Sequence, residues 1–279
     1  MILIAGPCVI DERTDDIAGM LDEVVKGIDD IEFYFKASFD KANRTSINSY
    51  RGVSIQVGLE RLGIIRRRHG FRVTTDIHEP WQAVLAGPAV DVVQIPALLC
   101  RQTDLLVEAG KYAKAVNIKK GQFSAPEDMA YPVEKVKANG CRNVWLTERG
   151  ASFGYRRLIV DMLCLPALKA TGAKTICDCT HSLQLPGAAG GCSASMARDY
   201  ATILARAAIA AGFDGVFCEV YDKPDEAKCD GPNSLSVTQF ENLMHECLEL
   251  NHRRRSRRQT PYSGLRTSRY DCGLRHYCS

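Results

Sequence analysis

Residues 90–119, VDVVQIPALLCRQTDLLVEAGKYAKAVNIK, contain the repeating unit that decides the fold. Val90–Ile95 is a short apolar run rich in β-branched residues, and Ala115–Lys119 is a second such run. Between them, Leu99–Tyr112 has the apolar spacing of an amphipathic helix, and Gly110 lies near its expected end. A strand, a helix and a second strand in this order predict a parallel βαβ unit.

The strand pattern recurs along the whole chain. Six further runs predict strands at Met1–Ala5, Ile31–Ala37, Phe71–Asp76, Asn143–Thr147, Lys174–Cys179 and Gly215–Val220. Each run is nearly continuous rather than alternating, as expected of parallel strands that are buried on both faces.

Segments with helical spacing separate these strands. One apolar stripe consists of Ile17, Met20, Leu21, Val24 and Val25, and a second consists of Ile203, Ala207 and Ala210. Further helices are predicted at Pro126–Asn139, Leu158–Thr171 and Val237–Leu250, and Gly140, Gly172 and Gly212 lie where helices should end.

Eight strands that alternate with helices predict a single (β/α)8 TIM barrel, a fold of the α/β class. An open doubly wound sheet is the alternative. The count of eight strands and the absence of a GxGxxG turn favour the barrel. A length of 279 residues also suits one domain of this kind, and we assign residues 1–252 to the barrel.

The remaining residues, 253–279, differ sharply in charge from the barrel. They contain eight Arg, one Asp and no Lys or Glu, which gives this segment a net charge of +7. Because the whole chain carries a net charge of +3, residues 1–252 carry −4. They therefore lack the excess of positive charge that is typical of a nucleic-acid-binding surface. The segment has neither helical nor strand periodicity, so we expect a disordered, Arg-rich tail and assign it no function.

Composition and cysteine usage indicate the cellular compartment. No run of about 18 apolar residues could span a membrane, and the apolar N-terminal run lacks the basic segment of a secretion signal. The 12 cysteines form no CxxC pair, and several stand in apolar runs, as reduced thiols do. These are Cys164, Cys177, Cys179 and Cys218. We therefore expect a cytosolic protein that makes no contact with membranes or nucleic acid.

Polar residues follow the predicted strands, at the point where each strand ends. In barrel enzymes the carboxyl ends of the strands form one rim, which carries the active site. Six cations stand at these positions: Lys36, Lys41, Arg44, Lys119, Lys120 and Arg149. Each lysine alone could be a solvated loop charge, but so many cations at one rim favour a site for phosphate or carboxylate substrates.

A second group of rim residues has the side chains of a metal site. Cys8, His181 and Glu219 follow the first, seventh and eighth strands, which are neighbours in a closed barrel, and Asp230 stands in the loop after the eighth. A thiolate, an imidazole and two carboxylates suit Zn²⁺, Fe²⁺ or Mn²⁺ better than Mg²⁺. The spacing alone leaves open a buried cysteine and a hydrogen-bonded histidine.

Seven stretches carry a further signal. They are FKASFDKANRTSINSYRG, TDIHEP, QIPALLCRQTDLL, NIKKGQF, ERGASFGY, THSLQLPG and CDGPNSL. In these stretches the chain resembles the 3-deoxy-D-manno-octulosonate 8-phosphate synthases. The resemblance implies a barrel enzyme of lipopolysaccharide precursor synthesis that joins phosphoenolpyruvate to D-arabinose 5-phosphate and releases phosphate.

The resemblance also implies which residues bind the substrates. Phosphoenolpyruvate would be held by Lys119 and Arg149, with Lys36 and Lys41 nearby. The pentose and its phosphate would be held by Asn43, Arg44 and Thr45, and Gln94 and Gln122 are further candidates for substrate binding. Arg101 would reach the pentose phosphate of a neighbouring subunit, which implies a homo-oligomer, most simply a tetramer.

Catalytic and metal roles follow from the same resemblance. The catalytic candidates are Lys41, Asp76, His78, Lys119 and His181. Lys41 would reach the aldehyde, and Asp76 and His78 would position water or sugar hydroxyls unless they are only hydrogen-bonding groups of the rim. Cys8, His181, Glu219 and Asp230 match the metal site of the family. The metal-free branch has Asn at the position of Cys8, so the resemblance implies the metal-dependent branch.

Two other functions remain open. One is a related phosphoenolpyruvate-dependent synthase, of the 3-deoxy-heptulosonate 7-phosphate or sialic acid type, although the KANRTS segment favours the arabinose phosphate enzyme. The other is an inactive barrel that binds phosphosugars. The loop at 187–199 departs from the pattern of the family, which keeps this second alternative open.

Overall fold

The strands close into the barrel that the sequence predicts. In the computed structural model, which describes residues 1–44, 46–185 and 194–258 without the side chains of 257 and 258, eight strands pair in parallel and β8 pairs with β1. They are β1 (Ile2–Gly6), β2 (Glu32–Lys36), β3 (Arg72–Asp76), β4 (Val92–Ile95), β5 (Val116–Lys119), β6 (Val144–Glu148), β7 (Lys174–Asp178) and β8 (Gly215–Glu219).

One helix follows each strand within the described ranges. The helices are α1 (Thr14–Val25), α2 (Ile55–His69), α3 (Pro80–Ala89), α4 (Thr103–Tyr112), α5 (Ala130–Ala138), α6 (Cys164–Ala170), α7 (Tyr200–Ala211) and α8 (Val237–Arg258). The prediction of a single (β/α)8 barrel is confirmed, and the open sheet is excluded by the β1–β8 pairing.

Two apolar layers hold the barrel together. The larger lies between strands and helices and joins residues such as Phe35 and Leu146 to Ile17 and Leu21 of α1. The smaller consists of Ile2, Ile4, Tyr34, Val92, Ala115, Trp145, Ile176 and Phe217. Because side chains alternate between the two faces of a strand, this second cluster fills the interior of the barrel.

The barrel interior becomes polar toward the carboxyl ends of the strands. Residues two positions beyond the inner apolar cluster face the same interior. They are Lys36, Gln94, Asn117, Thr147, Asp178 and Glu219, and each is at most 1% exposed. Buried polar groups need partners within the protein, so this layer forms the floor of a site.

Several helix predictions need correction. The helix predicted from Leu99 begins at Thr103, and the one predicted from Pro126 begins at Ala130, each after a short 3-10 turn. The larger differences are in α6 and α7.

The predicted helix Leu158–Thr171 begins only at Cys164. Ile159 is held instead by a bridge to Ala151, and the Asp161 carboxylate accepts a hydrogen bond from the Leu163 amide at 2.9 Å, which favours a turn.

The predicted stripe on α7 is also wrong. Ile203 is 61% exposed, and α7 buries Ala201, Ala205, Ala208 and Ile209. This face consists mostly of alanine, so α7 can pack closely against its neighbours, and the larger Ile203 side chain lies outside.

Helix α8 extends beyond the predicted end of the barrel domain. It ends at Arg258, six residues past the boundary at 252, and Arg254 donates a hydrogen bond to the Phe213 carbonyl at 3.4 Å. The beginning of the predicted tail is therefore helical, and residues 259–279 lie outside the described part of the chain. No helix in the described ranges is long and apolar enough to cross a membrane.

Candidate active site

The carboxyl ends of the strands surround a pocket of about 290 Å³. Ten of the predicted site residues line it: Lys41, Asn43, Arg44, Asp76, Gln94, Lys119, Gln122, Arg149, His181 and Asp230. Gln184 and Cys229 line it as well, and the sequence analysis assigns neither to a site. The structure thus places these residues together, while their individual roles remain predictions.

Other predicted site residues lie around this pocket rather than in its lining. Cys8 and Glu219 are buried beneath it and contact the lining residues Asp230 and His181, and Lys36 is buried beside Glu219. Arg101 is exposed and lies outside the lining. Thr45 lies outside the described residues, and so do residues 187–193 of the departing loop.

Lys120 does not belong to the group of pocket cations, so this prediction is wrong. Its ammonium nitrogen lies 3.5 Å from Glu148 Oε2 and donates a hydrogen bond to the Gly121 carbonyl at 3.2 Å. The alternation of side chains along the strand puts Lys120 on the opposite face from Lys119.

Asp76 organises one half of the pocket. Its Oδ2 accepts hydrogen bonds from Lys41 Nζ at 3.0 Å and from Ser38 Oγ at 2.9 Å. Burial opposes ionisation, but the charges of Lys41 and Lys36 outweigh it and hold the pKa of Asp76 well below its usual value. Burial lowers the pKa of Lys41, but Asp76 together with weaker contributions from its other negative neighbours outweighs burial, and the net shift is well upward. Both groups are therefore charged at neutral pH.

A directional chain of hydrogen bonds ends at Asp76. Thr147 Oγ1 donates to Asn117 Oδ1 at 2.7 Å, and Asn117 Nδ2 donates to Gln94 Oε1 at 2.9 Å. Gln94 Nε2 then donates to Asp76 Oδ1. Each amide accepts through oxygen and donates through nitrogen, so the chain fixes the orientation of Gln94. Asn117 and Thr147 are site residues that the sequence analysis missed.

Asp178 organises the other half, and the sequence analysis missed it as well. Its Oδ2 accepts a hydrogen bond from Lys119 Nζ at 2.6 Å and lies 2.7 Å from His181 Nδ1. Burial opposes its ionisation, but His181 and Lys119 hold the pKa of Asp178 well below its usual value. Burial lowers the pKa of Lys119, and Asp178 only partly offsets this.

His181 is oriented by carboxylates on both ring nitrogens. Nδ1 faces Asp178, and Nε2 lies 3.3 Å from Glu219 Oε1 and 3.9 Å from Asp230 Oδ2. Burial lowers the pKa of His181, but Asp178 and Glu219 outweigh it and raise that pKa to about 10. A histidine whose Nδ1 is held by a carboxylate can coordinate a cation through Nε2 once that cation displaces the proton there, as many metal ligands do.

Glu219 and Lys36 form a fully buried pair beneath His181. Lys36 Nζ lies 3.3 Å from Glu219 Oε1 and donates to the Cys8 carbonyl at 2.8 Å. Glu219 Oε2 has no hydrogen-bond partner among the described residues. A buried carboxylate oxygen left without a partner is costly, so this atom is well suited to bind a cation.

Arg149 differs from the pocket lysines because its hydrogen bonds go to neutral groups. It donates to Gln184 Oε1 at 2.6 Å and to the His181 carbonyl at 3.4 Å. Its other terminal nitrogen is buried without a hydrogen-bond partner in the described structure. A guanidinium in this state has donors available for an anion in the pocket.

His78 lies at the edge of the site, and both of its ring nitrogens are buried without a partner in the described ranges. Its ring packs edge to face against Phe39, with centroids 6.5 Å apart. Burial lowers the pKa of His78, although Asp76 opposes this. The imidazole is therefore neutral at pH 7, a state in which one nitrogen can donate and the other accept.

The predicted metal ligands form two groups that share Asp230. One contains His181, Glu219 and Asp230, the other Cys8, Cys229 and Asp230, and within each group the ligand atoms lie within 4.8 Å of one another. Burial raises the pKa of Cys8 well above its usual value, and Cys229 adds to the shift. Imidazole, carboxylate and thiol donors together suit a borderline divalent cation.

The fold and this pocket define a class of protein: a (β/α)8 barrel enzyme for anionic substrates with donor groups for a divalent metal. Residues 1–255 match the DAHP synthetase I family, and the chain belongs to this family.

Curated relatives match nearly all of the chain. A 2-dehydro-3-deoxyphosphooctonate aldolase of Desulfatibacillum aliphaticivorans is 49% identical over 252 residues, 90% of this chain and 92% of that protein. Proteins of the same name from Cyanothece sp. and Francisella tularensis subsp. holarctica are each 46% identical, over 89% and 92% of this chain and 91% and 94% of their own lengths. Their name denotes the enzyme that the sequence motifs resemble, so that resemblance is confirmed.

Proposed function

We infer that this chain is a 3-deoxy-8-phosphooctulonate synthase. It condenses phosphoenolpyruvate with D-arabinose 5-phosphate and releases inorganic phosphate, a step in the synthesis of lipopolysaccharide precursor. The observation that carries this conclusion is the pocket itself, where Lys41, Lys119 and Arg149 meet Asp76 and His181 in a chain about half identical to enzymes of that name.

The charges of the pocket fit two phosphorylated substrates. We assign phosphoenolpyruvate to Arg149 and Lys119, since Arg149 has unused donors and Lys119 stands beside it in the lining. Asn43, Arg44 and Thr45 hold the pentose and its phosphate, and Gln94 and Gln122 supply further polar contacts. A guanidinium binds carboxylate or phosphate through two parallel hydrogen bonds, so Arg149 should bind phosphoenolpyruvate more strongly than Lys119 does.

The reaction forms a carbon–carbon bond and a C–O bond from water, and it breaks the C–O bond to phosphate. C3 of phosphoenolpyruvate attacks the aldehyde carbon, water adds at C2, and the C–O bond to phosphate breaks. Negative charge develops on the aldehyde oxygen, where the Lys41 ammonium stabilises it. The carboxylate of Asp76 keeps Lys41 charged and fixed, and the neutral His78 positions water or a sugar hydroxyl.

A divalent metal ion fits the remaining donors of the site. We propose that Cys8, His181, Glu219 and Asp230 hold it, which the partnerless Glu219 Oε2 and the two ligand groups around Asp230 support. When bound, Zn²⁺, Fe²⁺, Mn²⁺ or a similar ion would polarise the aldehyde oxygen. Asp178 would hold His181 in the orientation and tautomer that ligation needs.

We further propose a homotetramer in which Arg101 completes the site of a neighbouring subunit. Its exposed position outside the pocket of its own chain supports this assignment. We also propose residues 1–252 as the catalytic domain, with α8 continuing beyond it to Arg258. The cytosolic location stays a prediction from the sequence.

The test is phosphate release with phosphoenolpyruvate and a choice of aldoses. We expect turnover with arabinose 5-phosphate that far exceeds turnover with erythrose 4-phosphate or N-acetylmannosamine. A preference for either of the latter would instead assign the chain to the heptulosonate or the sialic acid type. Substrate binding without phosphate release, with metal supplied, would show an inactive phosphosugar-binding barrel.

Metal dependence is tested in the same assay. A strong chelator should abolish phosphate release, and Mn²⁺ or Zn²⁺ should restore it. Full activity in protein shown by elemental analysis to be free of metal would contradict the metal assignment and leave the synthase assignment standing.

A further inference from the structure

Cys229 is a buried pocket residue with no role in the function proposed above. It is 4% exposed and lines the pocket, in the loop after β8. Its Sγ lies 2.9 Å from Cys8 Sγ and 3.4 Å from Asp230 Oδ2. Cys8 Sγ in turn lies 3.2 Å from Asp230 Oδ2, so two sulfur atoms and one carboxylate oxygen converge on one point.

The surroundings of Cys229 differ from those of the structural cysteines. Cys177 and Cys218 are fully buried in the apolar layer between strands and helices. Cys229 instead accepts a hydrogen bond from the Arg44 guanidinium at 2.7 Å. Its sulfur therefore faces the polar side chains of the pocket rather than the apolar core.

The backbone of the loop supports a ligand role. Asp230 has φ +50°, in the left-handed region that residues other than glycine seldom adopt. This conformation lets two consecutive side chains, Cys229 and Asp230, both reach Cys8. Unfavourable backbone conformations of this kind persist where the surrounding structure holds them, often at functional sites.

We propose that Cys229 is a second thiolate ligand of the metal ion, beside Cys8, in a site that also contains His181, Glu219 and Asp230. This rests on the metal site of the proposed function and deepens it, because a second sulfur changes which ions the site prefers. Two thiolates favour soft or borderline ions such as Zn²⁺, Co²⁺ and Cd²⁺ over Mn²⁺, which prefers oxygen ligands.

The first experiment counts the sulfur ligands spectroscopically. The full chain is stripped with a chelator and titrated with Co²⁺, and the near-ultraviolet sulfur-to-cobalt absorption is recorded. Cys229→Ser and Cys8→Ser should each lose about half of this absorption, as expected if each supplies one of two thiolates. Competition with a coloured chelator should show the affinity of Cys229→Ser falling by more than about 100-fold, beyond the loss usual for an outer-shell partner.

Cys141→Ser is the matched control, since the Cys141 thiol donates to the Lys114 and Asn143 carbonyls before the amino end of β6, away from the pocket lining. It should leave both the spectrum and the affinity unchanged. A spectrum of Cys229→Ser identical to that of the parent, with the absorption lost only in Cys8→Ser, would overturn the proposal.

A second measurement needs no variant and so does not depend on the folding of one. X-ray absorption of the Zn²⁺-loaded parent protein should show two sulfur neighbours at about 2.3 Å. A single sulfur would overturn the proposal, and so would a failure to bind Zn²⁺ or Co²⁺ at all. Phosphate release by the parent, assayed separately, shows whether the synthase function stands when Cys229 is not a ligand.

Discussion

At the scale of single residues, three buried lysines of the site each pair with a buried carboxylate. Lys41 pairs with Asp76, Lys36 with Glu219, and Lys119 with Asp178. Arg149 has no such partner among the described residues, and its hydrogen bonds go to an amide and a backbone carbonyl. Compared with these lysines, Arg149 therefore has a charge that the protein satisfies less and that is more available to substrate.

Replacing Arg149 by alanine should chiefly weaken binding of phosphoenolpyruvate. Each lost charge-assisted hydrogen bond is worth about 1.5–3 kcal/mol, so affinity should fall by roughly tenfold to several hundredfold. Titration calorimetry with phosphoenolpyruvate measures the change. Arg142→Ala, at an exposed position before β6, is the control and should bind normally. An unchanged affinity in Arg149→Ala would remove Arg149 from the anion site.

The Lys41–Asp76 pair should make stability depend on pH in acid. The pKa of Asp76 is lower in the folded protein than its unfolded value of about 3.9, so ionised Asp76 stabilises the fold above that pH. This stabilisation is lost as the pH falls below about 4 toward the folded pKa.

Asp76→Asn should therefore flatten the acid limb of a plot of unfolding free energy against pH. At pH 7 it should also cost roughly 3–5 kcal/mol, because Lys41 would remain buried without its counter-charge. Urea unfolding across the pH range measures both effects. Asp40→Asn, whose partner Arg51 is largely exposed, should change little. An acid limb of unchanged slope would show that Asp76 is not the titrating group.

Much of this residue-scale chemistry was accessible from the sequence, but not all of it. Residues that follow the strands were identified, since polar side chains after an apolar run stand out. Asp178 was missed because it lies inside the run that was taken as a buried strand. The alternation of side chains along the strand could have identified it. Asp178 stands two residues after Ile176 and therefore faces the barrel interior, as Asn117 does two residues after Ala115. Cys229 gave no such signal, because only the folded loop brings it to Cys8.

At the scale of elements, the strands were predicted within one or two residues, and the helices less well. Strand ends are set by sharp changes from apolar to polar side chains. The start of α6 depends instead on a side-chain turn at Asp161 and on pairing of Ala151 with Ile159, which apolar spacing does not reveal. The buried face of α7 was predicted incorrectly because alanine is only weakly hydrophobic. The strongly hydrophobic Ile203 therefore dominated the apolar pattern, although it lies on the exposed side.

The end of β1 depends on a glycine. Gly6 has φ +151°, and a Cβ atom there would lie 2.2 Å from the Lys36 carbonyl oxygen. Gly6→Ala should therefore force β1 and β2 apart at the point where Cys8 and Lys36 enter the site. We expect a loss of several kcal/mol in unfolding free energy, with phosphate release reduced in any protein that folds.

Gly19→Ala is the matched control for this prediction. Gly19 lies in α1, and a Cβ there would meet nothing within 4 Å. Alanine is favoured over glycine in a helix, so this variant should be about 0.5–1 kcal/mol more stable than the parent. Thermal unfolding of both variants decides the matter. A Gly6→Ala protein as stable as Gly19→Ala would show that the β1–β2 contact can relax.

At the scale of the whole molecule, the rim of the barrel carries large apolar side chains in water. Leu98 lines the pocket and is 54% exposed, and Phe123, at 51%, stands on the loop after β5. Exposed apolar groups beside a site are typical of surfaces that contact another protein. In the proposed assembly, a second copy of the chain would cover these groups.

A complementation experiment tests whether Arg101 acts in a neighbouring subunit. Arg101→Ala and Arg149→Ala chains are mixed, dissociated and reassembled, and phosphate release is compared with that of each variant alone. If Arg101 acts in the neighbour's site, an intact site forms where the pocket of an Arg101→Ala chain, which keeps Arg149, receives Arg101 from a neighbouring Arg149→Ala chain. When equal amounts of the two chains assemble at random into a symmetric oligomer, about a quarter of the sites combine these two chains in this way. About a quarter of parent activity should therefore return.

Mixing Arg149→Ala with Lys119→Ala is the control and should restore nothing, because both changes disable the same pocket. Activity no higher than the average of the two separate variants, in a mixture shown by sedimentation to have reassembled, would place Arg101 outside the neighbour's site.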